Sequence, residues 1–131
     1  MRVKNLVMLI LSILLVAVFA SGQAQIIAEA KIPFAFSVAG KVLAAGGYRF
    51  TEHSNTRVII VRSSDGGTSV MAGIITRLAA GIHTSPQDSH IVFDKVGDSY
   101  TLSEIWAPDR DGFMLHITKE KHEHRIMDTP K

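Results

Sequence analysis

The 131-residue sequence contains no cysteine. Disulfide staples are therefore excluded, and stability must come from packing and hydrogen bonding. A lipid-modified cysteine is excluded as a membrane tether for the same reason. The chain also lacks a run long enough to span a membrane as a helix. Its longest apolar stretch, residues 6–19, is interrupted only by Ser12 and has 14 residues. A spanning helix needs about 20. There is no internal repeat, no low-complexity tract and no linker.

The short apolar stretch has a different use. "MRVK" places Arg2 and Lys4 before it, and "ASGQAQ" supplies small residues after it. A basic start, an apolar centre and a small-residue exit form the pattern of a secretory signal peptide. The expected cleavage follows Ala24, with Gly22 at the −3 position; cleavage after Ala20 is the alternative. The predicted organisation is a signal peptide over residues 1–24, one β domain over 25–127 and a disordered tail over 128–131. The domain is expected to be periplasmic or extracellular, with no membrane association after cleavage.

Removing the signal also removes the charge surplus. Of 14 basic residues, Arg2 and Lys4 leave, so 12 remain against 12 acidic ones. The sequence pI near 9.1 therefore gives no support to a nucleic-acid partner, and no basic stripe is visible. A protein or a small ligand is the expected partner. Nothing in the composition calls for a cofactor.

The remaining chain reads as strands. "EAKIPFAFSV" alternates: Ala30, Ile32, Phe34, Phe36 and Val38 lie on one face, and Glu29, Lys31, Pro33, Ala35 and Ser37 on the other. Period two marks a strand with one buried face. Pro33 cannot donate a backbone hydrogen bond, which predicts an edge or a bulge. "YRFTEH" is a second strand, with Tyr48 and Phe50 inward. "RVIIVRS" is apolar on both sides, as a central strand should be. "TSVMAGIITRL" follows the "SDGG" turn, with Gly73 marking a bend. "AAGIHTSPQD" reads as a longer loop. "HIVFDKV" and "SYTLSEIW" flank Gly97-Asp98, a tight hairpin signal. After the "APDRDG" loop comes "FMLHI". About seven short strands predict an antiparallel β-sandwich or a small β-barrel. "TKEKHEHRIM" loses the period of two. A short C-terminal helix capped by Thr118 or a frayed end is expected there.

"GKVLAAGGYRF" places a lysine among glycines. A phosphate-binding P-loop requires Gly-x4-Gly-Lys-Ser/Thr before a helix. Here Val42 follows Lys41, and a strand follows the glycines, so the stretch is a turn.

"IPFAFSVAGKVLAAGGYRF" and "VFDKVGDSYTLSEIW" together resemble a group of small exported uncharacterised bacterial all-β proteins. Their pattern runs Pro-Phe-x-Phe-x-Val-x-Gly-Lys-x-Leu, then Ala-Gly-x-Tyr. The likeness is concentrated in residues 32–50 and 91–106. Ala44 stands where the pattern usually has proline. The resemblance implies an all-β domain behind a signal peptide, and it implies no activity.

Three constellations are candidates for chemistry. Gly97-Asp98-Ser99 superficially resembles an esterase nucleophile block. It sits between two strands, and the Asp-x-x-His that such a serine requires does not occur in the chain. No nucleophile–base pair or metal triad is visible, so the reading leans away from an enzyme. The second candidate is "HEH", His122 and His124, with His116 six residues earlier. On a helix, positions two apart point away from each other; on a strand they share a face and could hold a metal. A solvated charged tail is the plainer reading. The third is the aromatic set. Most of it belongs to the core, and Tyr100 and Trp106 are the candidates for ligand contact. The sequence thus predicts an exported non-catalytic binding or structural module. The alternative is a small metal- or ligand-binding protein using His116, His122 and His124 or a pocket between the sheets.

Overall fold

Pro33 divides the first alternating stretch between two sheets. The computed structural model describes residues 24–53, 56–79, 89–108 and 111–129. The signal-peptide expectation, His83 and most of the "AAGIHTSPQD" loop lie outside them, as do Asp109, Arg110, Pro130 and Lys131. Strand β1, Ala24–Ile32, pairs with β4, Gly46–His53, until Ile32 meets Gly46. Beyond Ile32 the proline offers no N–H to continue the ladder. The chain crosses over and begins β2, Phe36–Val38, in the opposite sheet. The face assignment survives the crossing. Ala30, Ile32, Phe36 and Val38 are all buried, while Lys31, Pro33 and Ala35 are exposed.

A second crossing occurs after Gly73. Strand β5, Val58–Ser63, lies between β4 and β6, Ser69–Gly73. Two residues later β7, Thr76–Leu78, belongs to the other sheet. The backbone hydrogen bonds change hands at adjacent residues. Ile74 donates to the Arg57 carbonyl at 2.9 Å, and Ile75 to the Met114 carbonyl at 2.8 Å. The expected bend at Gly73 is thus a change of sheet.

The result is an all-β sandwich, without a helix among the described residues and without barrel closure. One sheet has the order β1-β4-β5-β6. The other is built on β8, His90–Val96, and β9, Ser99–Trp106, joined through Gly97 at φ +58°. Its order is β11-β8-β9-β10-β7, where β10 is Gly112–Met114 and β11 is Glu123–Asp128. The short strand β3, Lys41–Leu43, pairs with β2 through a tight turn. Ala39 at φ +50° and Gly40 at φ +80° occupy its two central positions. Positive φ at both is the signature of a type I′ turn, so the lysine-glycine stretch is a hairpin.

Among the described residues, eleven strands replace the expected seven or so. Two stretches split at the sheet crossings, β3 lies inside the presumed turn region, and β11 forms in the tail. The tail forms no helix: residues 123–128 pair antiparallel with β8 from Glu123↔Lys95 to Asp128↔His90. The edge of β8 offers unpaired backbone groups that a strand satisfies and a helix cannot. Order also extends past residue 127. Thr129 is buried, and its N–H donates to the Ser89 carbonyl at 2.9 Å.

The core lies between the sheets. Phe36 meets the ring edges of Tyr48 and Phe93 at centroid distances of 5.0 and 5.4 Å, arrangements aromatic quadrupoles favour. The Tyr48 hydroxyl donates to the Ala44 carbonyl at 2.6 Å. Burial, then the nearby Asp65 carboxylate, push that phenol above its ordinary pKa.

Candidate metal centre at the β8–β11 edge

Strand β8 places Asp94 beside His124 of β11, its register partner. His122, one residue before β11, lies on the same side as His124, and their rings meet edge to face at 4.9 Å. The extended approach to β11 thus puts the two histidines where they can share a ligand. The approach to β11 is held from below. Past β10 the chain lies beside β9, where Leu115 N–H donates to the Ser103 carbonyl. It then reaches β8, where the Thr118 hydroxyl donates to Asp94 Oδ2 at 2.7 Å.

Asp94 is 4 % exposed. Its second oxygen, Oδ1, faces His124 Nδ1 at 3.1 Å and His122 Nε2 at 3.8 Å. Oδ1 is buried and accepts no hydrogen bond; the two imidazole contacts are ion pairs only where a ring is protonated. A buried carboxylate oxygen in that condition is costly unless a cation compensates it.

His122 supplies a second clue. Its Nδ1 lies 2.7 Å from the Glu120 carbonyl oxygen. A carbonyl only accepts, so Nδ1 carries a proton and Nε2 is the ring nitrogen turned toward Asp94. A cation between Nε2 and Oδ1, a proton or a metal ion, would join the two groups. Fixing a ligand histidine through its other ring nitrogen is how metal sites set the tautomer. The three ligand atoms all lie within 4.8 Å of one another. A tetrahedral zinc with bonds near 2.0–2.1 Å separates its ligands by about 3.4 Å, so small side-chain movements would complete the site.

The other candidates lie elsewhere. His116 is exposed and borders a different depression, of about 260 Å³, beside the β2–β3 turn and Gly73. It does not join His122 and His124; Asp94 takes the third place. Trp106 is 1 % exposed and belongs to the packed interior. Tyr100 is half-buried, stacked on Phe34 at 3.8 Å, with the Lys95 ammonium 5.8 Å from its ring centre. Both aromatic rings are used by the fold.

Asp94 carried little signal in the sequence. In "HIVFDKV" it reads as one polar position of an alternating strand. A charged residue facing away from the core looks ordinary until β11 and residue 118 cover it. No family model, no curated protein and no solved structure matches this chain.

Proposed function

We propose that this chain is an exported, non-catalytic β-sandwich module that binds a divalent transition-metal ion of the zinc type through Asp94, His122 and His124. The observation that carries the reading is the buried Asp94 Oδ1, which accepts no hydrogen bond and lies 3.1 and 3.8 Å from two imidazole nitrogens. Two imidazoles and a carboxylate suit zinc and its neighbours better than calcium or magnesium, which prefer all-oxygen shells. Binding is proposed in place of catalysis because the sequence pairs no nucleophile with a base. Export rests on the basic, apolar and small-residue order of residues 1–24. A secreted form beginning at Gln25, read by mass spectrometry, is its expected consequence; an intact Met1 on a membrane-bound protein would refute it.

The metal reading is tested by thermal melts of the secreted protein with and without micromolar zinc. Binding to the folded state alone stabilises it by about 2.7 kcal/mol at a zinc concentration 100 times Kd. The gain should be lost in Asp94→Asn and in the His122→Ala/His124→Ala double variant. His116→Ala should keep it. No gain in the wild type, or a gain that survives loss of both histidines, would overturn the reading.

A further inference from the structure

Strand β6 forms one edge of its sheet, and hydrogen bonds at its two ends fix where its backbone groups point. Just before it, Ser63 N–H donates to the Thr68 carbonyl; just after it, Ile74 N–H donates to the Arg57 carbonyl, both at 2.9 Å. In an antiparallel ladder, pairs that exchange hydrogen bonds alternate with pairs that do not. Counting inward from either end, Ser69↔Arg62, Met71↔Ile60 and Gly73↔Val58 are the pairs that do not. The N–H and C=O groups of Ser69, Met71 and Gly73 therefore point away from β5, toward the outer edge. Among the described residues, β6 pairs with β5 alone.

The other edges are guarded. Strand β1 carries Glu29, Lys31 and a bulge between Ile26 and Ala28, and β11 carries Glu123, Arg125 and Asp128. Strands β3 and β7 have three residues each and hold Lys41 and Arg77. Charge, bulges and shortness are the devices that keep sheet edges from pairing. Strand β6, "SVMAG", has five residues, no charge and an unbroken register.

The outer face of the sheet points to the partner. Ile26, Thr51, Ile60 and Met71 are successive register partners across β1, β4, β5 and β6. Ile26 is 52 % exposed and Met71 63 %, so this mostly apolar row ends in solvent at β6. Laid antiparallel on itself, β6 is self-complementary about Met71. Met71 meets Met71 of the second copy, Ser69 meets its Gly73, and the outward backbone groups bond to one another. The apolar row then continues into the second copy. Arg62, the outward charge beside Ser69, comes no nearer its own copy than about 20 Å, well beyond the screening length of about 8 Å at physiological salt.

We propose that β6 pairs antiparallel with β6 of a second copy of this chain, joining the two four-stranded sheets across a two-fold axis at Met71. The interface is isologous, as a two-fold dimer requires. It does not involve the proposed metal centre.

The test is sedimentation of the secreted protein with a chelator present, from micromolar concentrations up to about 1 mM, because so narrow an interface falls in the weak, transient class. A reversible monomer–dimer equilibrium is expected. Met71→Lys should keep the melting temperature of the dilute protein and weaken the dimer by about tenfold or more, since it sets two like charges opposite each other. The chain has no cysteine, so single cysteines report the register. Met71→Cys should form a disulfide-linked dimer on mild oxidation, because opposed bonded residues have Cα atoms about 5.5 Å apart, within disulfide reach. Ser69→Cys, also exposed, should cross-link at least about tenfold more slowly, its own copy lying roughly 14 Å away. A wild-type protein that stays monomeric at 1 mM would overturn the proposal, even if it captured an unrelated extended peptide. So would a dimer that Met71→Lys leaves intact, or equal cross-linking of the two cysteine variants.

Discussion

Gly112→Ala should destabilise the protein through one identifiable collision. Gly112 opens β10, and the indole of Trp106 lies across it. A Cβ at residue 112 would lie 2.7 Å from three indole atoms, Cδ2, Cε2 and Cε3. Carbon atoms pack at about 3.5–4.0 Å, so the ring or the strand must move by roughly 1 Å. Trp106 has little room, being 1 % exposed, with His90 opposite it across the ladder and ring centres 6.1 Å apart. Overpacking of this kind costs about 1–3 kcal/mol. Replacing glycine restricts the unfolded chain and returns about 0.4–1 kcal/mol. The expected net loss is about 1–2 kcal/mol, or a fall in Tm of roughly 4–16 °C for a domain of this size. Gly73→Ala is the control. A Cβ there meets nothing within 4 Å, and its φ lies outside the left-handed region, so that change should be neutral or stabilising by up to about 1 kcal/mol. Urea melts measure both. Trp106 is the sole tryptophan, so its fluorescence and near-ultraviolet dichroism should change in the Gly112 variant alone. Equal stabilities, or an unaltered tryptophan signal in a destabilised Gly112→Ala, would refute the collision.

Phe36→Ala should cost about 3–5 kcal/mol, the range for a fully buried phenylalanine, whereas Ala35→Ser, on the exposed side of the crossing, should stay within about 0.5 kcal/mol; comparable losses in urea would contradict the face assignment. Ala39→Gly should stabilise the β2–β3 hairpin by up to about 1 kcal/mol, because a left-handed residue with a Cβ is strained by roughly that amount; a loss of stability would refute the strain. Zinc should slow hydrogen exchange across β11, which presents mostly exposed side chains and would gain a cross-link from His122 and His124 to Asp94 on β8. Unchanged exchange in β11 under saturating zinc would show that the metal does not bridge the two strands.

The strand period was legible because it depends only on neighbouring residues. Alternation in "EAKIPFAFSV" separates buried Ile32, Phe36 and Val38 from exposed Lys31, Pro33 and Ala35 regardless of which sheet receives them. Gly97-Asp98 likewise announced its hairpin through the backbone freedom of a single glycine. Sheet membership was not legible. The changes of sheet after Ile32 and Gly73 depend on which carbonyls, those of Arg57 and Met114 among them, are close enough to accept. The tail shows the same division. Its apolar content was too low to declare a strand, and only the open edge of β8 supplied the hydrogen bonds that make it one. From the sequence, His122 and His124 were visible as metal-capable residues, with the condition that they lie on a strand. Asp94, 28 positions before His122, became their partner through the β8–β11 register, because long-range pairing is decided by tertiary contact and leaves no local period to read.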